Sequence, residues 1–261
     1  MDLQLKDKVF LVTGGSKGIG KAITLTLAEE GAIPVIFGRN PEEAAATLKT
    51  IQSHGGSGES IHVEMTDEST IVEGVRKVRD QFGRIDGVIN NAGVNDGVGL
   101  ESGTEAFRQS LEKNLVQVYA LVHHCREALI SSKGVIVNIG TKVASTGQGG
   151  TSGYAASKGG MNGLTREWAV DLAAHGVRVN CVIPAEVMTP LYERWLNTME
   201  DPEAEKQKIS KTIPLGQRFT TDQEIADTVA FVASPRSGHT TGQILYVDGG
   251  YVHLDRKCTA E

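Results

Sequence analysis

The sequence predicts a single α/β domain, a Rossmann-type doubly wound parallel sheet of about seven strands flanked by helices. Three observations carry that expectation. Short apolar runs such as Val9-Phe10-Leu11-Val12 lack polar alternation, the pattern of strands covered on both faces. Segments with helical periodicity lie between these runs. The junctions are rich in glycine, 31 residues in all, as tight strand-to-helix turns require. No linker, repeat or low-complexity stretch interrupts the alternation, so residues 1–261 read as one domain.

The first strand, 9–12, runs into Thr13-Gly14-Gly15-Ser16-Lys17-Gly18-Ile19-Gly20, after which Ala22, Ile23, Leu25 and Leu27 start a helix. Glycines between a strand and a helix let backbone N–H groups approach a phosphate at the positive helix end. The second strand, 33–37, ends in Gly38-Arg39-Asn40. A site for an unphosphorylated ribose usually has an acid about twenty residues after the first glycine. Here that region offers no acid, and Arg39 with Lys17 suits a 2′-phosphate, which favours NADP over NAD.

Residues 41–54 read as a helix, 60–63 as a strand, and 70–82 as a helix with Ile71, Val75 and Val78 inward. The fourth strand, 86–89, leads into Asn90-Asn91-Ala92-Gly93, small residues and amides that suit a turn lying against a flat ligand. A long helix over 104–131 carries Asn114 in its middle, an unfavourable place for asparagine unless a specific contact compensates. The fifth strand, 135–139, leads into Gly140-Thr141-Lys142. The sixth, 177–183, ends at Pro184-Ala185-Glu186, and the polar, proline-bounded stretch 189–214 reads as a mobile lid. A helix over 222–232 and a strand over 243–247 complete the alternation at Asp248-Gly249-Gly250.

The helix after the fifth strand holds Tyr154-Ala155-Ala156-Ser157-Lys158. Tyrosine and lysine four residues apart share one helix face. A free phenol, with a pKa near ~10, is a poor base at neutral pH. A fixed ammonium beside it favours the phenolate and brings proton transfer into the working range.

Composition excludes several function classes. Lys+Arg of 26 against Asp+Glu of 32 gives a net charge of −6, so neither a nucleic-acid nor an anionic-membrane surface is implied. No run approaches the ~20 apolar residues of a membrane span. The N-terminal residues carry an acid and enter a strand early, unlike a secretion signal, so a cytoplasmic protein is expected. Cys125, Cys181 and Cys258 are odd in number and widely separated, as free thiols in a reducing compartment are. His123-His124-Cys125 are consecutive and point in different directions, so no metal is expected.

Taken together, these landmarks resemble the short-chain dehydrogenase/reductase family over essentially the whole chain. Thr13-Gly14-xxx-Gly18-Ile19-Gly20 matches its cofactor loop, Asn90-Asn91-Ala92-Gly93 its fourth-strand motif, and Tyr154-xxx-Lys158 its catalytic pair; Asn114 sits where the family has an active-site asparagine. The resemblance implies that Tyr154 takes a proton from the substrate hydroxyl as hydride leaves for the nicotinamide. Lys158 would lower the tyrosine pKa and contact the ribose, and Asn114 would hold a relay water. It implies cofactor contacts at Gly14, Ser16, Lys17, Gly18, Ile19, Gly20, Arg39, Glu64, Met65, Asn91, Ala92, Gly93, Pro184, Val187 and Thr189. The sequence departs from the family pattern at Thr141, where serine is usual, and at Ala185, where glycine is. Threonine keeps the hydroxyl but restricts χ1. The resemblance also divides the chain into a cofactor-binding half, about 1–140, and a catalytic and substrate-binding half, about 141–261, and it implies a homotetramer with the C-terminus near a neighbour's site.

The loops expected to face the substrate carry Asn95, Asp96, Gln148, Thr151 and Glu186. A sugar needs several donors and acceptors, whereas an acyl chain or steroid needs an apolar slot. The stretches 90–97, 146–154, 183–192, Asp248-Gly249-Gly250-Tyr251 and 253–256 further resemble the bacterial L-fucose (aldose) dehydrogenase branch. That implies oxidation of an anomeric hydroxyl to the lactone. A 3-oxoacyl thioester reductase and a catalytically idle cofactor-binding sensor remain as alternatives.

Overall fold

The computed structural model describes residues 1–254. Its strands are β1 (Val9–Thr13), β2 (Ile33–Gly38), β3 (Glu59–His62), β4 (Gly87–Asn90), β5 (Val135–Ile139), β6 (Arg178–Pro184) and β7 (Ile244–Val247). They form one sheet in the order β3-β2-β1-β4-β5-β6-β7, and every neighbouring pair is parallel. The order reverses between β1 and β4, so loops leaving these two strands part to opposite sides and open a crevice at their carboxyl ends.

Burial on both faces follows from the strand sequences. On β1, Val9 and Leu11 join one core cluster while Phe10 and Val12 join the other. The first cluster takes Ile71, Val75 and Val78 from α3 (Glu68–Phe82), together with side chains of α5 (Gln117–Ser132) and α6 (Ser152–Asp171). The second takes Ile23 and Leu27 from α1 (Gly18–Glu29) and Ile225 and Val229 from α9 (Asp222–Ala233). α2 (Pro41–Ser53) is capped by Asn40, whose side chain accepts from the Glu42 and Glu43 N–H groups.

One expectation is corrected. The helix over 104–131 is not continuous: α4 (Gly103–Leu111) and α5 are separated by a π-helical turn over Glu112–Val116 that contains Asn114. Such a turn inserts one extra residue and shifts the following side chains around the axis. The stretch 189–214, expected as a mobile lid, contains two helices, α7 (Pro190–Leu196) and α8 (Pro202–Lys211), capped by Thr189 and Asp201. Strand and helix ends elsewhere move by a residue or two.

Cys125 and Cys181 are buried free thiols, while Cys258, Asp255 and Arg256 lie outside the described residues. Among the described residues no helix is long and apolar enough to cross a membrane. His124 Nε2 lies 2.7 Å from Glu68, His123 stacks on Tyr119, and the two imidazoles meet edge to face with centroids 4.9 Å apart.

Candidate active site

A cleft of about 1100 Å³ runs along the carboxyl edge of the sheet. Its centre is held open by Thr13, the last residue of β1. The buried Thr13 hydroxyl accepts from the Asn91 and Ala92 N–H groups, each at 2.9 Å. Asn91 Nδ2 returns two bonds, to the Thr13 carbonyl at 3.0 Å and the Gly14 carbonyl at 3.3 Å. The loops after β1 and β4 are thereby locked together across the reversal point. Nothing in the pattern of glycines marks Thr13 for this task.

The glycine loop is shaped for a pyrophosphate. Gly14 and Gly18 adopt φ of +63° and +52°, which L side chains rarely take. A Cβ on Gly20 would lie 2.2 Å from the Gly14 carbonyl oxygen, so that position admits hydrogen alone. α1 starts at Gly18 with no side chain capping its first N–H groups and no acid in its first turn. These donors face the cleft, as a dinucleotide phosphate requires.

The fifteen positions at which the family resemblance implies cofactor contacts all line this cleft, from Gly14 to Thr189, and Tyr154 and Lys158 line it with them. At its adenosine end the cations are already engaged. Arg39 pairs with Glu64 at 3.1 Å, and Lys17 lies 3.5 Å from Glu43, which also accepts from the Ser16 hydroxyl at 3.3 Å. Burial works to raise the Glu64 carboxyl, but hydrogen bonds from Thr66 and Arg39 outweigh it and hold the group below its ordinary value. Glu43, in the first turn of α2, brings a carboxylate to Lys17 and Ser16 from outside the region 33–40, which itself holds no acid.

At the other end, Tyr154 and Lys158 project from α6. α6 is anchored by a buried polar chain in which Asn90 donates to Asn138 at 2.8 Å and Asn138 to Thr165 at 2.9 Å. Lys158 is 2% exposed; its ammonium meets the Ile139 carbonyl at 2.8 Å and Met161 Sδ at 3.9 Å. Burial draws it down to about 8, with the nearby Cys181 thiol opposing the shift. Burial likewise pushes the Tyr154 phenol up to about 12, against a hydrogen bond from Thr141. The expected lowering of the tyrosine pKa by Lys158 is absent here. The ammonium lies 5.8 Å from the ring centroid and is turned to a backbone carbonyl.

Asn114 is fully buried in the π turn; its Oδ1 accepts from the Val94 N–H at 2.7 Å and its Nδ2 donates to the Ser110 carbonyl at 3.0 Å. It thus compensates its own helix and fixes the loop after β4. A Cβ on Gly93 would lie 3.0 Å from Asn114 Oδ1 and 3.5 Å from Lys158 Nζ, so the three residues close around one small space. One Asn114 amide hydrogen and one lone pair stay available for a bridging water. Gly140 has a similar origin: a Cβ there would lie 2.9 Å from Cys181 Sγ.

The residues expected at the substrate divide. Asp96 lines the cleft; its Oδ1 accepts from the Ser110 hydroxyl at 2.8 Å, and its buried Oδ2 has no hydrogen-bond partner among the described residues but faces Lys113 Nζ at 3.6 Å. Asn95 and Thr151 do not line the cleft and bond each other at 2.5 Å. Gln148 is exposed and outside it. Glu186 is buried behind the wall, in an ion pair with Lys142. Sequence patterning names neither lysine, because both partners come from distant loops.

Over residues 14–252 the chain matches the protein-family model described as enoyl-(acyl carrier protein) reductase. It is 35% identical over 252 residues to the 3-oxoacyl-[acyl-carrier-protein] reductase FabG of Thermotoga maritima, covering 96% of this chain and 100% of that protein. Among solved structures, Cj0485 dehydrogenase superposes with a TM-score of 0.94 at 46% identity, covering 98% of both chains. The ligand-free aldohexose dehydrogenase of Thermoplasma acidophilum superposes with a TM-score of 0.87 at 30% identity, covering 96% of both.

Proposed function

Because the chain belongs to the short-chain dehydrogenase/reductase family of NAD(P)-binding oxidoreductases, we propose that it oxidises the anomeric hydroxyl of L-fucose or a related aldose to the lactone. The nicotinamide, when bound, accepts the C1 hydride. Tyr154 takes the proton of the C1 hydroxyl, so one hydride and one proton leave and C1 becomes the lactone carbonyl. Thr141 holds the reacting oxygen, and Lys158 with Asn114 passes the proton on through water.

The observation that carries this reading is the charge lining the substrate end. Asp96 Oδ2 makes no hydrogen bond among the described residues and faces Lys113 Nζ at 3.6 Å, and both residues line the cleft. A buried carboxylate oxygen gains from a hydroxyl donor and is left costly against an acyl chain. The similarity to an aldohexose dehydrogenase supports the same class. We assign Asp96 to a neighbouring ring hydroxyl. Gln148 and Glu186, expected in that role, stand off the cleft wall, as do Asn95 and Thr151. We take NADP as the cofactor, held at its 2′-phosphate by Arg39 and Lys17 once their carboxylate partners yield. A homotetramer fits the exposed apolar Val116 and Tyr119 beside and on α5.

Similarity to FabG favours a second reading, reduction of a 3-oxoacyl thioester. Purified protein assayed with L-fucose, D-arabinose, L-galactose and a 3-oxoacyl thioester, each with NAD(H) and NADP(H), separates the two. Turnover of the sugars that is lost in Tyr154→Phe supports the aldose reading; turnover of the thioester alone replaces it.

A further inference from the structure

Lys142 follows Thr141 in the chain and turns away from the reacting oxygen into a cluster drawn from three other segments. Its ammonium pairs with Glu186, at the end of β6, and lies 3.9 Å from the centroid of the Tyr251 ring in the C-terminal turn. Both charged side chains are largely buried, 15% and 11% exposed. Tyr192, on α7, lines the cleft, and its phenol is pushed up by burial and then by the charge of Glu186.

The C-terminal turn is itself a built element. Asp248 accepts from the Gly250 and Val252 N–H groups at 2.8 and 2.9 Å. The Leu215 N–H donates to the Gly249 carbonyl at 3.0 Å, so this turn clasps the far end of the α7–α8 segment. Ser145 and Tyr246 hydroxyls, 2.5 Å apart, tie the loop after Thr141 to β7.

We propose that Lys142 is a positioning residue, a latch that holds the C-terminal turn and α7 against the loop carrying Thr141, closing the substrate end of the cleft around a compact polar ring. A buried ammonium facing one carboxylate and one aromatic face has both its charge and its packing satisfied there. Removing it leaves Glu186 buried with the Tyr192 phenol but no counter-charge, which drives that carboxylate toward water and the three segments apart. A closed end of this kind admits a pyranose and obstructs an extended acyl chain. The choice of substrate rests on the aldose reading, whereas the latch does not.

Hydrogen exchange tests the latch without any substrate. In Lys142→Met, amides over 249–254 and in α7 exchange about tenfold faster or more, while those of β1 and β4 do not change. Tyr251→Phe, which keeps the ring, retains wild-type exchange, and Tyr251→Leu behaves like Lys142→Met. The KM for L-fucose rises about tenfold in Lys142→Met with cofactor affinity unchanged. Unchanged exchange in Lys142→Met, or equal effects of the two Tyr251 substitutions, overturns the latch. The tyrosine pair decides the matter even if Lys142→Met does not fold. Wild-type protein inert toward L-fucose would remove the aldose reading while leaving the exchange result to judge the latch.

Discussion

Replacing Lys158 by methionine makes the burial of its ammonium measurable. In the unfolded chain the amine has its ordinary value of 10.5, and in the fold it drops to about 8. At ~1.4 kcal/mol per pH unit, that drop is worth about 3 kcal/mol. Below pH ~8 both states hold the proton, and the native state bears the full cost of the buried charge. Between pH ~8 and ~10.5 the folded amine is neutral while the unfolded one still binds a proton, so Lys158 makes stability rise with pH. Tyr154 and Cys181 are raised to about 12 and pull the other way at high pH, but the methionine variant shares them. Urea melts of wild type and Lys158→Met at pH ~7, ~8, ~9 and ~10 isolate the lysine. The wild type should gain about 2–3 kcal/mol on the variant between the ends of that range. A difference that stays flat with pH would refute the desolvated ammonium. Turnover in Lys158→Met should be lost at every pH.

Gly20→Ala places a methyl 2.2 Å from the Gly14 carbonyl. It should cost about 1–3 kcal/mol in thermal melts and weaken cofactor binding about tenfold or more. Arg39→Ala should raise the Kd for NADP about tenfold and leave that for NAD nearly unchanged in fluorescence titrations; equal losses would argue against 2′-phosphate recognition. Thr141→Val removes the hydroxyl that lowers the Tyr154 phenol. Because the phenolate is the base, the rising limb of the pH–rate profile should move to higher pH, with turnover down about 10²-fold. Asp96→Asn should raise the KM for L-fucose with little change in cofactor affinity, and an unmoved KM would remove Asp96 from the sugar.

The sheet and the cofactor cleft were legible because they are written locally. Val9–Thr13 and the loop to Gly20 are contiguous, and buried strands need unbroken apolar runs. The same holds for Tyr154 and Lys158, one helical turn apart. What was not legible depends on side chains meeting across the fold. Glu43 reaches Ser16 from 27 residues away, a contact that the glycine spacing does not announce. Lys142 and Glu186 are 44 residues apart, so the glutamate read as a sugar ligand is in fact paired. The π turn at Asn114 was half legible: the asparagine signalled a compensating contact, but periodicity alone extended one helix through it. Gln148 was chosen for polarity in a loop, and exposed loops are polar for reasons unrelated to a site.

In the proposed mechanism hydride leaves the anomeric carbon with Tyr154 as the base. L-fucose carrying deuterium at C1, incubated with the protein and oxidised cofactor, tests this directly by mass spectrometry of the nicotinamide product. Deuterium in the reduced cofactor, accompanied by the lactone and absent with Tyr154→Phe, is the predicted result. Reduced cofactor without deuterium, or label transfer that survives Tyr154→Phe, would contradict the account.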